Sequence, residues 1–131
     1  MLITDSYTNV VANRKMKYPE EVDIMSFFEC EPTFLDSEEV PFFYNESTYS
    51  YINENSQSFT VTLCPSYSEV TFIIKDADKV ISHIKLNSVD DLSILSDKRE
   101  EKRLMITSEN FILKMSLKPH YHLDFLEEKE N

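Results

Sequence analysis

Hydrophobic and polar positions alternate with a period of two through residues 59–125, which is typical of half-buried β-strands. In the run that begins at Phe59 and in the run Phe111–Lys118, a large apolar residue occupies every second position. Further runs of this kind span residues 70–75, 80–86, 92–95, 103–107 and 121–125. About seven strands at spacings of roughly 8 to 12 residues, without a long helical stripe between them, predict an antiparallel meander.

The predicted fold is mainly β: a single antiparallel meander that forms a sandwich, a curled sheet or a barrel. A short helix is expected before it, because Pro19 suits a first helical turn and the carboxylates of Glu20 and Glu21 favour the positive end of a helix dipole. A β-rich α+β fold is the alternative. The chain of 131 residues suits one domain, with an N-terminal part (1–58), the meander (59–126) and an acidic tail (127–131).

Residues 18–58, called here the acidic segment, differ in composition from the rest of the chain. They contain ten Asp and Glu but no Lys or Arg, and so carry −10 of the net charge of −11. They also contain nine of the sixteen aromatic residues. Acidic segments with few aromatic residues tend to be disordered, so the aromatic content predicts that this one packs. It forms either a solvated face over core aromatics or a binding surface where carboxylates surround exposed tyrosines.

The absence of glycine excludes several enzyme classes. Walker A loops, Rossmann fingerprints and glycine-flanked nucleophile elbows all need glycine for a close backbone approach or a strained turn. Turns with positive φ are therefore expected at asparagine and aspartate, which tolerate this conformation best among the remaining residues. Examples are Asn45, Asn53, Asn87 and Asn110.

The two cysteines, Cys30 and Cys64, are too few for a disulfide framework. Buried thiols in a reducing compartment are expected instead. The N-terminal sequence lacks the cationic and apolar regions of a signal peptide, and no apolar run approaches a membrane span. The sequence therefore predicts a cytoplasmic protein with no membrane partner and no cofactor.

His120, His122 and Asp124 form the sharpest chemical constellation in the sequence. On a strand, alternate residues share one face, and two imidazoles with a carboxylate are suitable ligands for zinc or non-haem iron. The alternative is an edge strand with these three outward. Its inward residues are then Tyr121, Leu123 and Phe125.

The preferred hypothesis is a non-enzymatic inhibitor, such as an immunity protein, that neutralises a basic toxin through an acidic face bearing tyrosines. A nuclease is one candidate target, because its phosphate-binding site is electropositive and carboxylates would steer such a partner. The likeness to acidic bacterial inhibitors rests on size and charge alone. The residues predicted to contact the partner are Glu38, Glu39, Tyr44, Glu46, Tyr49 and Tyr51.

Direct binding to nucleic acid is disfavoured, because the Lys and Arg side chains in residues 98–103 alternate with Glu side chains and form no basic patch. The second hypothesis is a regulatory or adaptor β domain that binds a peptide or assembles with itself through an open sheet edge. The third is a small metal-dependent enzyme that uses His120 and His122. The sequence leaves the oligomeric state open.

Overall fold

The computed structural model describes residues 15–127, which form one short helix, nine strands and two 3-10 turns. The helix is α1 (Glu21–Phe28), and the 3-10 turns are Phe42–Tyr44 and Pro65–Tyr67. The strands are β1 (Thr33–Phe34), β2 (Ser47–Ile52), β3 (Gln57–Cys64), β4 (Glu69–Asp76), β5 (Lys79–Leu86), β6 (Asp91–Asp97), β7 (Lys102–Thr107), β8 (Phe111–Lys118) and β9 (His122–Glu127). No helix within residues 15–127 is long and apolar enough to cross a membrane.

The strands form two antiparallel sheets in which sequence neighbours are also spatial neighbours. The first sheet has the order β1-β2-β3-β4-β5, and the second has the order β6-β7-β8-β9. The prediction of a mainly β fold with a short helix is confirmed. The meander is nevertheless divided between two sheets at the β5–β6 connection, and the sheets do not close into a barrel.

One hydrophobic core joins the two sheets and the helix. Its members from β3 and β4 include Phe59 and Phe72, its members from β8 include Leu117, and α1 contributes Ile24 and Phe27. All of these side chains are buried. Full burial of one large apolar side chain stabilises a fold by about 1.5–3 kcal/mol, so the alternating pattern of the strands accounts for their packing against each other.

The prediction of a left-handed conformation at the four asparagines is wrong, because none of them has a positive φ. Within the described part of the chain that conformation occurs at one aspartate, Asp78, as expected, and at five other residues: Glu29, Ser56, Ser68, Ala77 and Ser88. Asn45 and Asn53 are buried instead and use their side chains to hold the backbone. An asparagine amide can replace backbone partners in a turn without a positive φ, which is why residue type alone misplaced these turns.

Asn53 links the hairpin of the first sheet to the second sheet. Its Oδ1 accepts from the N–H groups of Asn55 (2.9 Å) and Gln57 (3.1 Å). Its Nδ2 donates to Gln57 Oε1 (2.9 Å) and, across the core, to Leu117 O (2.8 Å). Gln57 Oε1 also accepts the N–H of Tyr121 (2.8 Å). The two sheets are therefore joined by hydrogen bonds as well as by the core.

The inward orientation predicted for Phe125 is wrong. Its side chain is 52% exposed and stacks on Phe111, with 5.5 Å between ring centroids. Phe125 lies on β9, which pairs with β8 on one side and is the last strand of its sheet. At the edge of a sheet the core covers fewer residues. The alternating sequence pattern therefore extends to residues of β9 that are not buried.

Candidate partner-binding surface

The acidic segment places its charges and its aromatic rings on different sides. Nine of its ten carboxylates are exposed, and the tenth, on Glu46, is half-buried. Eight of its nine aromatic side chains are buried or half-buried, and Tyr44 is the exception at 64% exposure. The result is an acidic outer surface held in place by aromatic packing beneath it.

Helix α1 illustrates how this separation arises. Ile24, Phe27 and Phe28 are buried on one side, while Glu21 and Asp23 in the first turn are exposed. Apolar residues three to four positions apart lie on the same helix face. The buried side packs against the first sheet.

An aromatic contact holds the helix on that sheet. Phe28 stacks on Tyr49 of β2 with 5.2 Å between ring centroids, and within the helix Phe27 packs edge-on against Phe28 at 5.0 Å. Such pairs contribute about 0.5–1.5 kcal/mol beyond the area they bury. The exposed carboxylates of α1 are therefore carried by a firmly packed element.

Glu38 and Glu39 are exposed in the loop between β1 and β2. Asn45 holds this loop, because its Oδ1 accepts the N–H of Asp36 (3.1 Å) and its Nδ2 donates to Ser37 O (3.1 Å). The predicted contact residues Glu38 and Glu39 are thus presented by an ordered loop. Tyr44, just before Asn45, is exposed as expected.

The exposure expected of Tyr49 and Tyr51 is wrong. Their side chains are 0% and 7% exposed, because alternation along β2 turns both of them towards the core. Glu46 is half-buried, and its Oε1 accepts a hydrogen bond from Cys64 Sγ (3.2 Å). Burial, reinforced by this hydrogen bond and by the Glu46 charge, raises the pKa of Cys64 to about 12. Both cysteines are free thiols.

The structure brings two of the predicted residues, Glu38 and Tyr49, to one depression, called here the acidic cleft. It has a volume of about 220 Å³ and is lined by Glu21, Met25, Glu31, Pro32, Phe34, Glu38 and Tyr49. Its three carboxylates are exposed, and Tyr49 is its most deeply buried member. Glu21, Glu31 and Glu38 form no salt bridge with any residue between 15 and 127.

The sequence interpretation missed Glu21 and Glu31 as members of this site. Glu21 belongs to the first turn of α1, and Glu31 follows the left-handed residue Glu29 that ends the helix. Both are close to β1 and β2 only because α1 packs on the first sheet. Neither residue carries a signal in the sequence beyond its charge, so no pattern could have selected them from the ten acids.

A larger groove of about 620 Å³ lies beside Tyr44 and also contains Tyr67. Both tyrosines are exposed, at 64% and 77%. One cation faces this region, since Lys15 Nζ is 5.4 Å from the ring centroid of Phe43. Tyr44 therefore belongs to a different depression from Glu38.

The histidine constellation is not assembled as predicted. His120 lies in the turn before β9, so it does not share a strand face with His122 and Asp124. His122 Nε2 is 3.2 Å from Asp124 Oδ1 on an exposed surface. Within residues 15–127 no group of three His, Cys, Asp or Glu is close enough to hold a metal ion. Metal analysis of the purified protein tests the third hypothesis.

The fold and this surface define a class: a two-sheet, mainly β protein with an acidic outer face on its N-terminal part. No protein-family model matches the chain, and no curated protein is significantly similar to it. A solved chain from a "contact-dependent growth inhibition toxin - immunity protein complex" of Klebsiella pneumoniae 342 matches with a TM-score of 0.61. The match covers 84% of this chain and 95% of the other at 18% identity. At that identity it shows a shared fold.

Proposed function

We propose that this protein is a non-enzymatic inhibitor of the immunity-protein kind, which neutralises a basic toxin. The observation that carries the proposal is the acidic segment, in which nine exposed carboxylates are accompanied by no Lys or Arg. The fold shared with a chain of a toxin–immunity protein complex supports it. A charged face of one sign raises the association rate of an oppositely charged partner about 10- to 1000-fold and repels partners of like charge.

A nuclease is the target class that this charge suits best. An enzyme that cleaves nucleic acid presents a positive surface to the phosphates, and a carboxylate-rich protein can occupy that surface. The same charge disfavours direct contact between this chain and nucleic acid. The proposed contact residues are Glu38, Glu39 and Tyr44, which are exposed, together with the acidic cleft.

Association kinetics with the product of the adjacent gene test the proposal. The first variant, called here the loop variant, carries Asp36→Lys, Glu38→Lys and Glu39→Lys, three exposed positions in one loop. Glu46 is left unchanged, because its hydrogen bond with Cys64 couples it to the fold. The control variant carries Asp76→Lys, Glu100→Lys and Glu127→Lys, which make the same charge change at exposed positions outside the acidic segment.

The loop variant should associate at least about tenfold more slowly than the wild-type protein at low salt, and the difference should shrink at high salt, where exposed charges are screened. The association rate of the control variant should fall much less. Equal rates for the loop variant and the wild-type protein at low salt would show that the acidic segment only keeps the protein in solution. A pull-down at low and then high salt identifies the partner first.

Peptide binding at a sheet edge is the second candidate function, and strand β5 favours it. Among residues 15–127, β5 pairs only with β4, and its Val80 and Ile81 side chains are 58% and 47% exposed. An added strand or a second copy of the chain could pair with the free edge. In that case Ile81→Lys should weaken binding and salt should have little effect. The inhibitor hypothesis predicts instead that Ile81→Lys has little effect and that salt slows association.

A further inference from the structure

The acidic cleft is lined by Tyr49, whose buried hydroxyl has no hydrogen-bond partner in good geometry within residues 15–127. Tyr49 is 0% exposed, and its hydroxyl has no hydrogen-bond partner among the described residues. Burial raises the pKa of Tyr49 to about 12, the interaction with the side chain of Ser47 opposes this, and the Glu21 carboxylate adds to it. The Ser47 hydroxyl is itself buried without a hydrogen-bond partner among the described residues, so the two hydroxyls are close but not in hydrogen-bonding geometry. The Tyr49 hydroxyl therefore stays neutral and protonated at neutral pH, with both lone pairs free to accept.

An unsatisfied buried hydroxyl is unusual, because native proteins pair most such groups. Packing alone does not require it, since phenylalanine would provide the same ring to stack on Phe28. Tyr49 also lines the cleft together with three carboxylates that form no salt bridge with residues 15–127, and one of them, Glu21, is close enough to raise the pKa of the Tyr49 hydroxyl. Both observations point to a missing donor that carries positive charge.

We propose that the acidic cleft receives one arginine side chain of the partner, whose guanidinium donates to the carboxylates of Glu21, Glu31 and Glu38 and to the Tyr49 hydroxyl. This inference rests on the proposed function and names the chemistry of its contact. Arginine fits because its planar head carries five donors, enough for several acceptors at once. The volume of about 220 Å³ suits a side chain rather than a helix or a strand.

The walls of the cleft match the rest of an arginine side chain. Pro32 and Phe34 provide apolar surface for its methylene groups, which long cationic side chains commonly bury. Met25, half-buried at the same site, is unbranched and can shift to let a donor reach Tyr49. The cleft thus combines acceptors for the head with apolar contacts for the stem.

The test is an NMR titration of the full chain with N-acetylarginine amide at low salt, followed through backbone amide signals. N-acetylcitrulline amide, which has the same shape without the charge, is the control ligand. We expect saturable shifts centred on Glu21, Met25, Glu31 and Tyr49 with the arginine compound and none with the citrulline compound. Shifts spread over the whole acidic segment without saturation would overturn the proposal.

Tyr49→Phe is the decisive variant, because it removes the acceptor without changing the net charge. It should weaken the arginine compound about tenfold, the loss of one hydrogen bond to a charged group. Tyr67→Phe, at an exposed position outside the cleft, is the matched control and should bind like the wild-type protein. Glu31→Gln with Glu38→Gln tests the exposed carboxylates independently of any effect of Tyr49→Phe on folding.

An unchanged affinity in Tyr49→Phe overturns the arginine site. If the loop variant (Asp36→Lys, Glu38→Lys, Glu39→Lys) still associates with the toxin more slowly than the wild-type protein does, the proposed inhibitor function stands without that site. Conversely, saturable arginine binding that Tyr49→Phe weakens supports the site even when no toxin partner binds. The two failures are therefore distinguishable.

Discussion

Lys102→Met should destabilise the protein by detaching helix α1 from the second sheet. Lys102 is a buried cation on β7, 4% exposed. Its Nζ donates to Phe27 O (2.8 Å) and Asp97 Oδ1 (2.7 Å), and it lies 3.3 Å from Glu29 Oε2. The Phe27 carbonyl belongs to the last turn of α1, where the helix dipole favours a positive charge. The helix has no basic residue of its own in that turn.

The size of the effect follows from what the substitution leaves behind. The Phe27 carbonyl loses a charged donor in a buried position, which costs about 1–3 kcal/mol. The Asp97 and Glu29 side chains are 30% and 59% exposed, so water replaces most of their pairing and each adds under about 1 kcal/mol. Methionine keeps the apolar stem in place. We expect a loss of about 2–3 kcal/mol in the free energy of unfolding and a fall in Tm of about 10 °C.

Urea unfolding followed by circular dichroism measures the loss. Lys98→Met, at the exposed tip of the same hairpin, is the control and should change stability by less than about 0.5 kcal/mol. If Lys102→Met is as stable as Lys98→Met, the ammonium group does not anchor the helix and the reasoning fails.

Alkaline pH tests the same contact without a mutation. Burial lowers the pKa of Lys102, but the hydrogen bonds and charges of Asp97 and Glu29 raise it more, so the net pKa lies above 10.5. Because the pKa of Lys102 is higher in the folded state than in the unfolded state, its contribution to stability is complete at any pH below the unfolded-state pKa. That contribution is lost as the pH rises through the folded-state pKa. The stability advantage of the wild-type protein over Lys102→Met should therefore shrink only above about pH 10.

Two further predictions concern the remaining buried polar groups. Asn53→Ala removes the amide that joins the sheets and leaves Leu117 O without its donor, so urea unfolding should show a loss of about 3 kcal/mol; the exposed Asn55→Ala should lose less than half of that, and equal losses would contradict the role of Asn53. In a Cys30→Ser variant, the pKa of about 12 at Cys64 predicts that iodoacetamide reacts with the folded protein far more slowly than with the urea-unfolded chain. The expected factor at about pH 8 is more than about 100, and similar rates would refute it.

The sequence by itself determined the strands and the class of fold. Period-two alternation specifies which residues share a strand face, so residues 59–63 and Phe111–Lys118 were recognisable without knowledge of their neighbours. Pro19 and the acids after it predicted the helix, which begins at Glu21. These signals are local, because each depends on backbone geometry over a few residues.

The alternation could not specify which face of β2 is covered. Tyr49 and Tyr51 share a face, as their spacing requires, but only the packing of α1 and the second sheet decided that this face is buried. The partners of Lys102 likewise come from α1 and from β6, whose positions beside it are set by the core.

The acidic cleft belongs entirely to the tertiary structure. Glu21, Glu31 and Glu38 come from a helix, a loop after it and a loop after β1, and they meet because α1 packs on β2 through Phe28 and Tyr49. Sequence determined that the segment is acidic and aromatic, since charge and hydrophobicity are properties of single residues. Which carboxylates share a site depends on distances across the fold, and those are decided by burial of the aromatic rings beneath them.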